Sequence, residues 1–297
     1  MGGYAARKHP SLGTLGQLHA KALALEDGAG NRSVLVTMDL LGFSSAFREE
    51  IAERCSLRTG IPRERFLFSA SHTHSGPALS RVLEIAYELT TEQRMAVQSY
   101  SEQLQNRIVD LVSESLRNLE PVKLSFGTAI AGFAVNRRVR TPSGFVIGAN
   151  RLGPVDHSVP FLVVDDEAGR IRAVVFSYSC HNTTLQGSNY HFHGDYAGVA
   201  QQWLEQRYPG AVAFFMAGTA GDANPYPRGT LQLAEEHGRT LARAVDKYLT
   251  GPLKPVRGPL AARLEKIFLE FDGPPTRKDF QEKLKSENPY ERKHATA

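Results

Sequence analysis

The 297-residue chain contains few cysteines and lacks long apolar runs. Its two cysteines, Cys55 and Cys180, neither require nor exclude a disulfide bond, so they do not define a redox compartment. No stretch approaches the roughly 18 consecutive apolar residues of a membrane-spanning helix. Residues 1–7 contain no apolar core of a secretion signal. The sequence therefore predicts no particular localisation.

Long runs of basic residues are also missing, and the net charge of +4 is mild. The densest basic stretch, Arg137-Arg138 with Arg140, is too short for a nucleic-acid footprint, so we expect no nucleic-acid partner. A slightly basic surface is compatible with peripheral contact to an anionic membrane, although a solvated surface is the favoured explanation. No obligate protein partner is evident.

Several apolar, β-branched runs end in polar loops, as expected for strands that are covered on both faces. Segments with helical spacing lie between them. This order predicts an α/β fold with a mixed β-sheet core, helices packed on the outside and a site at the carboxyl ends of strands. Residues 1–273 would form the domain, and 274–297 a charged tail, either mobile or a helix without its packing partner. The predicted strands are Ser33–Leu40, Arg65–Ala70, Arg172–Ser179, Ala211–Ala217 and Ala262–Phe271, and the predicted helices are Ser45–Thr59, Thr91–Asn118, Tyr196–Arg207 and Thr230–Thr250.

Two histidines follow one of these strands directly, in the sequence Ser-Ala-Ser-His-Thr-His-Ser-Gly-Pro at 69–77. In an extended chain the side chains of His72 and His74 point the same way, so both imidazoles can converge on one point. Imidazole is the commonest protein ligand for zinc-like metals. A short His-x-His pair is nevertheless more often incidental than metal-binding.

Polar residues at other strand ends could share a crevice with this pair. Asp39, His181, Asp222 and Asn224 all lie at or just beyond the carboxyl ends of predicted strands. Taken alone, His181 is more often a buried histidine satisfied by hydrogen bonds. Asp222 has an equally good explanation as a turn-forming residue.

A second His-x-His lies in Asn-Tyr-His-Phe-His-Gly-Asp at 189–195. His191 or His193, together with Asp195, could complete a three-ligand zinc site with the first motif and leave a position for water. The alternatives are that the histidines are exposed loop residues and that Asp195 is the N-cap of the following helix.

Four motifs together resemble one family. In chain order they are Ser-Ala-Ser-His-Thr-His-Ser-Gly-Pro, Phe-Ala-Val-Asn-Arg-Arg-Val, Ser-Cys-His-Asn-Thr-Thr-Leu and Ala-Gly-Asp-Ala-Asn-Pro. They are similar to the N-terminal catalytic domain of the neutral/alkaline non-lysosomal ceramidases, in particular a shorter bacterial branch, and the likeness covers nearly the whole chain. The family consists of zinc amidases that cut the N-acyl bond of ceramide. Its members are often secreted or membrane-associated.

The resemblance implies that His72 and His181 are zinc ligands, and that His74 lies behind the ligands or against the substrate. The Asn-Arg-Arg turn, with Arg137 or Arg138, would bind a polar group of the substrate. A solvated turn is the alternative explanation for these arginines. The predicted substrate-binding residues are Asn136, Arg137 and Arg138.

The chain departs from the family at two places. Asn224 stands where the family has a serine, and an asparagine can donate to an oxyanion but cannot attack a carbonyl. Catalysis would then use a water activated by zinc, with Asp222 as general base. Secondly, the family's further zinc ligands, a glutamate and a tyrosine, have no counterpart here, and the segment that precedes Met1 in relatives is missing. We therefore expect a fragment or an unusually trimmed member.

The leading prediction is a zinc-dependent hydrolase of an N-acyl amide bond in ceramide or another small-molecule or lipid substrate. The predicted catalytic residues are His74, Asp222 and Asn224, and the predicted metal ligands are His72, His181 and His193. Two alternatives remain open: a catalytically inactive ligand-binding domain of the same fold, and a truncated gene product that does not fold alone.

Overall fold

Two mixed β-sheets and the helices that cover them make up most of the protein. The computed structural model describes residues 1–270 and 273–296. The strands of these ranges are β1 (Gly13–Thr14), β2 (Ala20–Glu26), β3 (Arg32–Met38), β4 (Phe66–Ala70), β5 (Val122–Ile130), β6 (Ala134–Thr141), β7 (Gly144–Asn150), β8 (Ser158–Asp166), β9 (Ile171–Tyr178), β10 (His191–Phe192), β11 (Val212–Ala217), β12 (Ala223–Pro225) and β13 (Lys254–Val256). The helices are α1 (Ser45–Thr59), α2 (Thr91–Arg117), α3 (Asp195–Arg207), α4 (Leu231–Leu249), α5 (Arg277–Lys283) and α6 (Pro289–Thr296).

The larger sheet has the strand order β11-β9-β8-β5-β13, and a smaller sheet has the order β2-β3-β4. Each contains one parallel pair, β11 with β9 and β3 with β4, while the other neighbours are antiparallel. A third sheet, β12-β6-β7, is antiparallel, and β1 pairs with β10. The predicted mixed α/β architecture is confirmed.

Burial of apolar side chains explains where the helices lie. Helices α3 and α4 cover the larger sheet, and Tyr196 and Leu241 pack with Phe161 and Phe215 in its core. Helices α1 and α2 cover the smaller sheet in the same way. Ser44 caps α1, and Thr90 with Gln93 forms the predicted capping box of α2. Among the described helices, none is long and apolar enough to cross a bilayer.

The C-terminal segment differs from the prediction. The strand predicted at Ala262–Phe271 is wrong for the part that can be examined, because residues 261–270 form no strand and Phe271 lies outside the described residues. The chain pairs with β5 through β13 and then leaves that sheet, because residues 261–270 pair with no neighbouring strand. The proposed domain boundary at residue 273 stays a prediction.

The charged tail contains two helices, α5 and α6, which cover most of residues 277–296. Helix α6 contacts the start of the chain, since the Tyr290 hydroxyl donates to the Ala5 carbonyl at 2.9 Å. The ammonium group of Lys293 donates to the Tyr87 carbonyl at 2.5 Å. Polar contacts therefore join the tail to the first residues of the chain and to the segment that precedes α2.

Candidate metal centre

Three histidines meet where strands of different sheets end. His72 and His74 follow β4, and His181 follows β9. Their ring nitrogens form a group in which all the candidate ligand atoms lie within 4.8 Å of one another. The Nε2 atoms of His72 and His181 are 3.0 Å apart, and those of His72 and His74 are 3.4 Å apart. Among the described residues no carboxylate or thiol joins this group.

Backbone carbonyls fix the orientation of two of the rings. Nδ1 of His72 lies 2.6 Å from the Leu41 carbonyl, and Nδ1 of His181 lies 3.0 Å from the Ala220 carbonyl. A carbonyl can only accept, so both Nδ1 atoms carry the proton and donate. The Nε2 atoms of both neutral rings therefore present lone pairs to each other.

This arrangement fits a zinc ion. Two lone pairs 3.0 Å apart, with no proton between them, repel each other unless a cation accepts both. Tetrahedral zinc with Zn–N bonds of about 2.0–2.1 Å places its ligand nitrogens about 3.3 Å apart, close to the 3.0 Å between the Nε2 atoms of His72 and His181. Histidines that bind metals usually donate their other N–H to a carbonyl or carboxylate, as His72 and His181 do.

His74 belongs to the same group but lacks this support. Its Nδ1 atom is buried and has no hydrogen-bond partner among the described residues. Its ring packs against Tyr4, with ring centroids 4.9 Å apart. The Gly3 backbone interacts with this ring and raises its pKa against the effect of burial, but no hydrogen bond of normal geometry fixes the tautomer of His74 as it does for the two tethered rings.

Burial keeps the three rings neutral near pH 7. It lowers the pKa of His181 to about 4. Burial, followed by the charges of His72 and His181, lowers the pKa of His74 to about 3. Burial also lowers the pKa of His72. Neutral imidazoles are the form that binds metals, so the environment favours ligation over protonation.

The backbone of His72 is in the left-handed region, with φ of 59°. The extended geometry assumed from the sequence is therefore wrong at this residue, although the predicted convergence of His72 and His74 is found. A left-handed non-glycine residue costs roughly 1–2 kcal/mol. The short contact between Nδ1 and the Leu41 carbonyl offsets part of that cost.

A buried carboxylate supports the loop that carries His181. The side chain of Asp195 accepts hydrogen bonds from the backbone N–H groups of Thr184, Leu185 and Tyr196 at 2.7–3.1 Å. Asp195 is fully enclosed, and burial raises the pKa of its carboxyl against the effect of these donors. Its side chain is committed to backbone donors, so it holds the loop in place rather than facing the histidines.

The structure does not bring His193 to the group. Nδ1 of its ring accepts from the Asp195 N–H at 2.9 Å, which occupies that lone pair. Its backbone joins the first motif, since its N–H donates to the Ser75 carbonyl at 3.0 Å and its carbonyl accepts from the Thr73 hydroxyl at 2.8 Å. His191 lies in the short pair of β10 with β1. His193 thus supports the loop of His72 through the main chain.

The predicted substrate-binding turn lies on β6, beside the histidines. Nη1 of Arg137 is 3.4 Å from Nδ1 of His181, and burial lowers the pKa of the Arg137 guanidinium. The Asn136 side chain donates to the Pro154 carbonyl and accepts from the Arg138 N–H, so it shapes the turn. Arg138 is exposed. The structure therefore brings Arg137 to the site.

The two predicted groups of the Gly-Asp-Ala-Asn-Pro loop lie apart. Asn224 is buried in β12, and its Oδ1 accepts from the Thr183 hydroxyl at 3.4 Å. Asp222 lines a surface cavity with Arg138 and Ser179 that includes none of the three histidines. The role of Asp222 as general base stays a prediction.

Comparison with known proteins decides the family. The model of the N-terminal domain of neutral/alkaline non-lysosomal ceramidases matches residues 1–240. The chain belongs to this family. Neutral ceramidase 1 of Arabidopsis thaliana is 24% identical over 246 residues, covering 80% of this chain and 31% of the relative. Neutral ceramidase B of Dictyostelium discoideum is 24% identical over 244 residues, covering 76% and 33%.

Solved structures of ceramidases share the fold. A ceramidase complexed with C2 superposes with a TM-score of 0.68 at 22% identity, covering 83% of this chain and 40% of that one. The neutral ceramidase from Pseudomonas aeruginosa gives 0.66 at 21% identity, covering 82% and 40%. The chain spans about a third of the length of the curated relatives it matches.

In this ceramidase-family domain, the N-terminal segment is the part of the site that the sequence did not reveal. The Arg7 guanidinium donates to the carbonyls of Gly2 and His74 at 2.8 and 2.7 Å. Gly3 has φ of 100°, and a Cβ there would lie 2.7 Å from His74. Only glycine fits so close to that ring. The Gly2-Gly3 pair was the sequence signal available for this segment. The hydrogen bonds of the histidine rings to backbone carbonyls cannot be recognised in a sequence.

Proposed function

We propose that this chain forms the zinc-binding part of a hydrolase that cleaves the N-acyl amide bond of ceramide or a related N-acylated lipid. The opposed Nε2 lone pairs of His72 and His181 are the observation that supports zinc. Family membership supports the reaction class. The relatives described above are all ceramidases, although this chain covers only part of their length.

His72 and His181 would hold the zinc through Nε2, and their tethers to Leu41 and Ala220 would keep both lone pairs directed inward. When bound, zinc would polarise the amide carbonyl and lower the pKa of a water molecule. Burial of the site excludes bulk water, which strengthens electrostatic interactions there.

His74 would serve the substrate side. Its ring adjoins the two ligands, and its tautomer is not fixed by any partner among the described residues. Such a ring can accept at one nitrogen the proton that the attacking water releases, and then pass that proton to the leaving amine. The predicted role of His74 as a catalytic group is therefore retained in the proposal.

Arg137 and Asn224 would bind the polar part of the substrate. The guanidinium of Arg137 lies beside His181 and is partly desolvated, which strengthens a charge-assisted hydrogen bond to an amide or hydroxyl oxygen. The Oδ1 atom of Asn224 accepts from Thr183, which leaves its amide N–H groups as donors for an oxyanion. Asp222 remains the predicted general base.

The zinc content of the purified chain tests this proposal. We expect one equivalent of zinc by plasma mass spectrometry after dialysis, and hydrolysis of a short-chain fluorescent N-acyl sphingosine that a chelator abolishes. His157→Ala is a matched control, because the Nδ1 of that ring also lies against a carbonyl, that of Ala131, but outside the group. A folded chain that binds no zinc above the level of His72→Ala would refute the proposal.

A catalytically inactive binding domain is the second candidate. The specific observation in its favour is Asn224, which stands in a buried strand position and cannot act as a nucleophile. The same experiment separates the two functions. Zinc-loaded chain that binds the N-acyl reporter without turning it over would support the binding domain.

A further inference from the structure

An exposed, apolar and basic surface lies on the hairpin of β6 and β7. We call it the hairpin surface and define it by Arg138, Arg140, Phe145, Val146 and Ile147. Phe145, Val146 and Ile147 are 67%, 50% and 69% exposed, and both arginines are exposed as well. Three consecutive large apolar side chains this accessible are unusual on a monomer and mark an interaction surface.

The pairing register sorts these side chains by face. Arg138 lies opposite Ile147, and Arg140 lies opposite Phe145. Residues two apart in a strand share a face, so these four side chains form one mixed apolar and cationic face. Val146 lies on the other face, opposite Val139.

The charge of the hairpin's own segment has one sign, and the acidic residues nearest to it, Asp156 and Asp222, line a cavity with Arg138 at its base. Between Glu120 and Asp156 the chain carries five basic residues and no acidic one. Arg138 and Arg140 form no ion pair with a described acidic side chain. The guanidinium of Arg151, just after β7, lies 4.9 Å from the ring centre of Tyr226 and adds a further cation. The partner must therefore be apolar and anionic.

The hairpin is connected directly to the histidine group. Asn136, at the base of β6, pairs with Ala223, whose carbonyl accepts from the His181 N–H at 2.9 Å. From Asn136 to the tip at Thr141 the strand advances five residues, or about 17 Å. A partner surface that binds the tip of the hairpin would therefore lie about 17 Å from Asn136, near the histidine group.

We propose that the hairpin surface docks on an anionic phospholipid bilayer and so brings the site to a lipid substrate. Phe145 and Ile147 would enter the boundary between headgroups and acyl chains, while Arg140 and Arg138 would pair with lipid phosphates. The inference rests on the proposed function in one respect: docking serves hydrolysis only if the substrate is a lipid. Vesicle binding itself requires neither zinc nor hydrolysis.

Co-sedimentation of the full chain with vesicles tests the docking. We expect binding to vesicles of phosphatidylcholine mixed with phosphatidylserine, and weaker binding at high salt or to phosphatidylcholine alone. Phe145→Ser/Ile147→Ser should lower the partition coefficient at least about tenfold. Arg140→Gln should lower it about fivefold, and only on anionic vesicles.

The control variant changes the same residue types elsewhere. Leu57→Ser/Arg243→Gln alters an exposed leucine of α1, 82% accessible, and an exposed arginine of α4. It should bind vesicles like the original chain, and thermal unfolding by circular dichroism verifies that every variant is folded. Hydrolysis of a water-soluble short-chain substrate should be the same for the hairpin variants and the control.

Three results would overturn the inference. They are vesicle binding by Phe145→Ser/Ile147→Ser at the original level, absence of binding by the unmodified chain, and a self-association that this variant abolishes without any vesicle binding. If vesicle binding follows the hairpin while no zinc is bound and nothing is hydrolysed, the proposed function fails and the docking surface stands.

Discussion

The chain contains the His-x-His motif twice, and the two copies do different things. In the first copy, His72 and His74 direct Nε2 atoms into a group with His181. In the second copy, Nδ1 of His193 accepts a hydrogen bond from the Asp195 N–H, and the backbone of His193 supports the loop of the first copy. The same motif therefore provides a candidate metal ligand in one place and a structural support in the other.

The difference lies in what each ring nitrogen contacts. A carbonyl against Nδ1, as at His72 and His181, forces the proton onto Nδ1 and frees Nε2 for a metal. A backbone N–H against Nδ1, as at His193, forces the opposite tautomer, with the proton on Nε2. His193 in its neutral form is thus a donor at the nitrogen that would have to bind zinc.

The largest expected effect comes from removing a tethered ring. Structural zinc sites with four protein ligands bind zinc with about 10–16 kcal/mol, or about 3 kcal/mol per ligand, so His72→Ala or His181→Ala should weaken zinc binding roughly a hundredfold. Competition with a chromogenic chelator measures the affinity. Equal zinc affinities for His72→Ala and the control His157→Ala would show that His72 does not bind the metal.

The next largest effect is expected in the unfolding free energy of the metal-free chain, which should depend on pH. Burial lowers the pKa of His181 to about 4 in the folded state, whereas the ring titrates at about 6.5 when unfolded. Between these values the unfolded chain binds more protons, so stability is fully present above pH 6.5 and falls toward pH 4. We expect a loss of roughly 2 kcal/mol from this ring.

Urea unfolding in the presence of a chelator measures this loss between pH 7 and pH 4.5. His181→Gln replaces the ring with a side chain that does not titrate, so its stability should depend less steeply on pH. An equally steep dependence in the variant would show that His181 titrates alike in both states.

Removing the second motif should change stability and leave zinc binding intact. His193→Ala deletes the acceptor of the Asp195 N–H and leaves a small cavity beside Gly16, which should cost about 1–3 kcal/mol of unfolding free energy. Zinc affinity should stay within about threefold of the original, since the ring does not face the group. Loss of zinc from a folded His193→Ala variant would show that His193 is a zinc ligand, as the sequence predicted.

A small effect on zinc is also expected for His74, and it distinguishes the two histidines of the first motif. Because Nδ1 of His74 has no partner among the described residues, His74→Ala should lower zinc affinity less than about threefold. Hydrolysis should fall by about 10²–10⁴ if the ring transfers a proton. A drop in zinc affinity as large as that of His72→Ala would make His74 a third ligand.

Much of the architecture could be predicted from local sequence patterns. Continuous apolar runs located β3, β4, β9 and β11, because strands covered on both faces carry no polar alternation. The capping box at Thr90 located the start of α2. Both signals depend only on residues that are close together in the chain, so a sequence is enough to recognise them.

The site could be predicted only in part. The position of His72 and His181 at strand ends indicated that they meet, because carboxyl ends of strands in α/β sheets border one crevice. Their hydrogen-bond partners could not be predicted, since Leu41 and Ala220 act through carbonyls that every residue possesses. The strand predicted at Ala262–Phe271 failed for a related reason: an apolar run does not show whether a partner strand lies beside it, and residues 261–270 pair with none.

X-ray absorption at the zinc edge counts the imidazole ligands around the metal and so distinguishes the two motifs. We expect imidazole scattering at about 2.0–2.1 Å in the original chain, unchanged in His193→Ala and reduced by one ring in His72→Ala. An imidazole lost from His193→Ala but kept in His72→Ala would reverse the roles of the two motifs.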